Sequence, residues 1–158
     1  MGRLRIFGVP YCDEDFVTAR GVADRLGGKK LLKRQVRSDL DLVEAIQGGL
    51  PTRVLEEVLH SGLFQPAELY AIVVARRTLA HRKRKRQPLS PEQSDRLTRM
   101  VRIAERAEET LGDREKAARW LRKPNRGLQG KRPIDLLESD IGARMVERAL
   151  GHIEHGLY

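Results

Sequence analysis

Residues 90–112, SPEQSDRLTRMVRIAERAEETLG, decide the fold of this chain. Ser90 followed three residues later by Gln93 is a capping box, and Pro91 stands at the first helical position, where a missing N–H costs no hydrogen bond. Leu97, Met100, Val101, Ala104, Ala107 and Leu111 then follow the 3.6-residue period, and Gly112 supplies the C-terminal cap. Downstream, Asp113 caps a second helix whose spacing buries Ala117, Trp120 and Leu121. That helix must stop near Lys123, because the residue before Pro124 disfavours helical backbone. Trp120, Pro124 and Asn125 read as structural: a buried indole, then a turn that redirects the chain. A last helix begins near Ser139, with Ile141, Met145, Val146, Leu150 and Ile153 as its inner face and Arg144, Glu147 and Arg148 outside.

Upstream the same period continues. Leu42 and Ile46 belong to a helix from about Asp41 that breaks at Gly48-Gly49. Pro51 opens a run in which Val54, Leu55, Val58 and Leu59 recur at three and four, ended by Ser61-Gly62. Pro66 fits the first turn of the next helix, whose buried stripe is Leu69, Ile72 and Val73, and a third helix follows within a few residues. From Asp41 onward the chain reads as all-α, with no segment of strand period. Residues 1–38 say least: Leu4 to Val9 has the make-up of a short strand, and Asp15 to Leu26 is helical in composition up to Gly27-Gly28.

The chain has 158 residues, 40% of them hydrophobic, and a mean hydropathy of -0.51, which fits one or two small compact units rather than a disordered tail. Its longest apolar run, Leu69 to Ala75, is far shorter than the roughly 20 residues of a membrane span, so no membrane partner and a cytoplasmic location are expected. A single cysteine, Cys12, excludes an internal disulfide and a cysteine-rich zinc site. There is no G-x-S-x-G, and Gly27-Gly28-Lys29-Lys30 lacks the first half of a phosphate-binding loop. His152 and His155 flank Glu154 without a third ligand of matched type. Neither catalysis nor a cofactor nor a metal is expected.

Charge points elsewhere. The net charge is +9, and residues 1–90 hold 17 basic and 10 acidic side chains against 14 and 12 in residues 91–158. Within Ala71 to Leu89 there is no acid at all. Three short helices with a tight turn before residues 75–82 fit a helix-turn-helix, whose second helix presents side chains to the major groove. On that reading Arg76, Arg77 and His81 reach base edges, with Thr78 on the same surface, while Arg82, Lys83, Arg84, Lys85 and Arg86 contact phosphate. Five or six such contacts imply a salt slope of about -5. The turn itself, Val73-Val74-Ala75, has neither the usual glycine nor a Ser or Thr cap. The block also reads as a solvated basic helix end, or as a patch that binds nucleic acid without sequence preference.

Three runs near the end go beyond what a periodic helix needs: WLRKPN at 120–125, GKRPIDLL at 130–137, and GARMVE at 142–147 leading on to GHIEHG at 151–156. They resemble the C-terminal toxin-binding domain of the Xre/MbcA/ParS antitoxin family. The likeness reaches back to about Asp41, and R-R-T-L-x-x-R at 76–82 is similar to that family's recognition helix. The resemblance implies an Xre-like helix-turn-helix domain over residues 41–88 and a small α-helical toxin-binding domain over 89–158, after a segment 1–40 of unassigned role. It implies a type II antitoxin that covers the active site of a RES-domain, NAD-consuming toxin with its last helix and tail. Arg144, Glu147, Arg148, His152, Glu154 and Tyr158 are then the expected toxin contacts, and a homodimer repressing the promoter of its own operon is the expected DNA-bound form. A stand-alone helix-turn-helix regulator without a toxin partner is the alternative.

Overall fold

The computed structural model describes residues 17–156, and every regular element among them is helical. The segment Leu4 to Val9, Cys12, Leu157 and Tyr158 lie outside the described residues. Helix α1 (Ala19–Arg25) is capped by Thr18, whose Oγ1 accepts from the Gly21 N–H at 3.0 Å, and a short α2 (Gly28–Leu32) follows. Helix α3 (Asp39–Gly48) begins two residues before the Asp41 expected from periodicity. The reason is a second capping box. Ser38 Oγ accepts from the Asp41 N–H, while the Asp41 carboxylate accepts from the N–H groups of Arg37 at 2.8 Å and Ser38 at 3.0 Å. Those hydrogen bonds, from Arg37 first and then Ser38, hold the Asp41 carboxyl below its usual range.

Helices α4 (Val54–His60), α5 (Pro66–Ile72) and α6 (Arg76–Arg84) are the three short helices, and α7 (Pro91–Leu111) is the long one. The Ser90 capping box and the left-handed Gly112 cap of α7 are both present. Helix α7 is also the hub, since α1, α3, α8 (Arg114–Arg122) and α9 (Asp140–Glu154) all pack on it. Its buried arc is accordingly wider than one stripe: Ser94, Thr98 and Ile103 are buried beside the expected residues. Ser94 earns its place through hydrogen bonds, its Oγ accepting from the Leu50 N–H at 2.8 Å and its carbonyl from Thr98 Oγ1. Next to that contact Gly49, at φ +81°, passes so close to the Leu89 carbonyl that a Cβ would lie 2.4 Å from its oxygen.

Between α8 and α9 the chain makes two 3-10 turns, 126–128 and 133–136. Asn125 organises the first: its side-chain oxygen accepts from the Gly127 N–H at 2.8 Å and its carbonyl from Leu128 and Gly130. One buried apolar cluster runs through the whole, from Ala19 to Leu150.

Two inner-face expectations are corrected. Ile141 is 74% exposed, because the second position of α9 points away from α7; Gly142, Ala143, Val146 and Leu150 are buried instead. Trp120 is only half-buried, since it packs on the core with one side and borders a surface groove with the other.

Residues 17–40 contribute to the core through Val22 and Leu26, and Arg25 of α1 faces Glu105 and Glu108 of α7. The Glu105 side chain is 12% exposed, its nearest guanidinium nitrogen is 3.7 Å away, and its Oε2 is buried without a hydrogen-bond partner among the described residues. Burial pushes its carboxyl above the ordinary range, against the pull of Arg25. With the folded pKa above the unfolded one, the charge costs stability as pH rises through the folded pKa, and that cost vanishes below the unfolded value of about 4.3. Glu105→Gln is therefore expected to raise the thermal midpoint at pH 7 by about 2 °C and to lose that advantage as pH falls through the carboxylate range. Melting curves at pH 7 and pH 4 check this; a lower midpoint at pH 7 would show that the Arg25 pair outweighs burial.

Candidate DNA and partner interfaces

Helices α5 and α6 are joined by Val73, Val74 and Ala75. The N–H groups of Val73 and Val74 both donate to the Leu69 carbonyl, at 2.9 and 3.2 Å, and Ala75 at φ −55° and ψ 140° starts α6. No residue of this turn has a positive φ, so none has to be glycine. Val73 and Val74 are both buried, so packing fixes the turn in place of the usual small residue. Leu79 anchors α6 from beneath.

On the outer side of α6, Arg76, Arg77, Thr78, His81, Lys83 and Arg84 are exposed, as are Lys85 and Arg86 just beyond it. Arg76, Arg77, Lys85 and Arg86 make no ion pair among the described residues. Lys83 is turned back to Glu56 of α4, which lowers the Glu56 carboxyl pKa, and Arg84 Nη2 lies 3.4 Å from His81 Nδ1. Arg82 departs from the rest. It is half-buried and its Nη1 donates to the Pro88 carbonyl at 2.8 Å, which fastens the end of α6 to the loop leading into α7. The structure thus gives Arg82 a structural tie where a phosphate contact was expected.

The α9 residues divide in the same way. Arg144, 71% exposed, pairs with Asp140 one turn earlier at 2.9 Å; Glu147 pairs with Arg102 at 3.0 Å, and Glu154 with Arg106. Two of these pairs tie α9 to α7. Arg148 and His152 are exposed and make no ion pair or hydrogen bond among the described residues. They form one wall of a groove of 630 Å³, with Met145 beside them; Trp120, Lys123, Pro124 and Arg126 form the other wall. Sequence reasoning assigned the Trp120–Asn125 run to the core and turn, and so missed this wall. The missed signal is the pair of cations, Lys123 and Arg126, flanking Pro124-Asn125, which neither burial nor a turn requires. Tyr158 lies outside the described residues.

Arg122, next to the groove, joins the two regions. Its Nε and Nη2 donate to the two Glu68 carboxylate oxygens at 2.7 and 2.8 Å, and Nη2 also donates to the Leu63 carbonyl at 2.9 Å. This is the fork geometry of a bidentate arginine–carboxylate pair, and it fixes α8 against α5, the helix that leads into the turn.

No helix among the described residues is long and apolar enough to cross a membrane, and no group of three or more His, Cys, Asp or Glu among them could hold a metal ion.

A basic helix thus follows the tight turn of a helix-turn-helix and is tied through Arg122 and Glu68 to a helical region that carries an open cationic groove. Residues 41–102 match the antitoxin Xre-like helix-turn-helix domain, and residues 106–156 match the antitoxin Xre/MbcA/ParS C-terminal toxin-binding domain. The chain is similar to Antitoxin Xre of Pseudomonas putida, 34% identical over 122 residues that cover 77% of this chain and 76% of the relative. It is also similar to Antitoxin Xre of Yersinia enterocolitica, 32% identical over 74% of this chain and 80% of the relative. A Prs ADP-ribosylating antitoxin of Sphingobium is 27% identical over 77% of this chain and 82% of that protein. The chain belongs to the Xre antitoxin family of toxin–antitoxin systems.

Proposed function

We propose that this antitoxin neutralises a RES-domain toxin that consumes NAD, by laying α9 and the chain end over the toxin's active-site cleft, and that a homodimer represses its own operon through α6. The observation that carries the first half is the placement of Arg148 and His152. Both are exposed and unpaired on α9, inside the segment matched to a toxin-binding domain. The pairs of Glu147 and Glu154 with α7 hold α9 in place, so the helix that presents Arg148 and His152 is positioned before docking. The name of the Sphingobium relative supports a toxin whose chemistry involves ADP-ribose. For the second half, the support is the acid-free α6 with Arg76 and Arg77 at its N-terminal end, and two-fold symmetry follows from the geometry of paired half-sites. The functional division we propose is DNA binding by residues 41–88 and toxin binding by residues 89–158, with segment 1–40 supporting the core through α1.

The test is co-expression with the product of the adjacent gene while cell NAD content and growth are followed. The neighbour alone should collapse NAD, and this chain should restore it through a complex that co-purifies. Deleting residues 151–158 should release the toxin while DNA binding persists, because the deletion removes His152, the Glu154 tie to Arg106 and the chain end, but no residue near α6. A harmless neighbour that does not co-purify would favour the stand-alone regulator.

A further inference from the structure

We propose that the groove between α8 and α9 receives an acidic segment of the toxin, one apolar side chain of which packs on the Trp120 indole. The proposal rests on the antitoxin reading and names a surface and a partner chemistry for it. Trp120, Lys123 and Arg126 border one side, Met145, Arg148 and His152 the other, and no carboxylate among the described residues lines the groove. Lys123, Arg126, Arg148 and His152 are all exposed and have no ion pair among the described residues. Elsewhere on α9 the charges are already satisfied, Arg144 by Asp140 and Glu147 by Arg102. The charge left for a partner is therefore positive and gathered at one concavity.

Beneath the rim the surface is apolar. Leu128 is buried, Ala149 and Met145 are half-buried, and the indole stands at the edge of the groove. Phosphate would gain from the rim alone, whereas a protein segment gains from both the rim and the apolar floor. Tryptophan and arginine are also among the residues enriched where binding energy concentrates at protein interfaces. The groove lies wholly within residues 106–156, the part matched to the toxin-binding domain.

The test uses the full chain and the purified product of the adjacent toxin gene, with affinity measured by biolayer interferometry and promoter binding by fluorescence anisotropy. The Lys123→Glu, Arg148→Glu double variant is compared with Lys29→Glu, Lys30→Glu, which makes the same change in net charge on exposed α2 side chains. We expect the rim variant to lose about 100-fold in toxin affinity and the α2 variant less than about 3-fold, with promoter binding equal in the two. Trp120→Ala should lose about 10-fold or more, and a melting curve reads its folding separately. Equal toxin affinity of the two double variants would overturn the proposal. So would a rim variant that loses promoter DNA as strongly as toxin, which would make the groove a DNA contact. Failure of the wild-type chain to bind the neighbouring product at all would sink the antitoxin reading itself, and it is visible before any variant is made.

Discussion

Gly142→Ala is expected to lower the thermal midpoint by roughly 6–12 °C, a loss of about 3 kcal/mol, and to weaken toxin binding with it. Two effects oppose each other at this position. Alanine is the better helix former by about 1 kcal/mol, and Gly142 lies in the first turn of α9 with ordinary helical backbone, so propensity alone forecasts a gain. Packing forecasts the reverse. A Cβ at Gly142 would stand 2.0 Å from the Leu136 carbonyl oxygen and 2.8 Å from its carbon, and these are backbone atoms that no rotamer change can move. Either the 3-10 turn at 133–136 or the start of α9 has to shift, in a part of the molecule where Ile134, Leu137 and Ala143 are all buried. The steric term is the larger, so the sign is destabilising. Urea or thermal unfolding of the variant decides it: an unchanged or higher midpoint would mean that the close approach of α9 to the turn is not present in solution. Because α9 carries one wall of the Trp120 groove, its displacement should also reduce toxin affinity beyond what lost stability explains.

Gly142 also shows why some of this molecule was legible in the sequence and some was not. Capping boxes and stripes are local, and the start of α7 at Ser90-Pro91, its end at Gly112 and the Asp113 cap of α8 stand where residue spacing puts them. Helix α3 starts two residues before Asp41 because Ser38 is its cap and Asp41, the third helical residue, closes the capping box with its carboxylate, a role that the spacing of Leu42 and Ile46 does not show. Position on a helix face, by contrast, depends on what packs there. Ile141 looked like the first inner residue of α9, but the inner face begins at Gly142, where only a residue without a side chain fits against the Leu136 carbonyl. For the candidate sites, the basic block was visible as composition. That Arg82 is held by Pro88, Lys83 by Glu56 and Glu154 by Arg106 are facts of tertiary structure, as is the meeting of Trp120 with Arg148 and His152.

Arg76→Ala, Arg77→Ala is expected to reduce affinity for the operon's own promoter by about 100-fold or more while toxin neutralisation stays intact, since each good bidentate arginine–guanine contact is worth about 1–3 kcal/mol. Both residues sit in the first turn of α6, the part of a recognition helix that reaches base edges, and both are exposed with no ion pair among the described residues. The double substitution should not harm the fold. Alanine favours the helix, and removing two positive charges from a helix N-terminus relieves an unfavourable interaction with its dipole. Arg82 is unsuited to the same experiment, because its loss would free the Pro88 carbonyl and disturb the approach to α7. Anisotropy titrations against promoter and scrambled duplexes, repeated across salt concentration, separate the modes of contact. Base readout predicts that promoter affinity falls towards the scrambled value while the salt slope is nearly unchanged. If both duplexes weaken alike and the slope falls by about two, the arginines bind phosphate and the sequence is read elsewhere. If neither duplex responds, α6 is a solvated basic helix and the reading surface has been misplaced. Neutralisation by the same variant then reports on the division of labour: a folded variant that fails with both DNA and toxin would show that α6 and the groove beside α9 act as one surface.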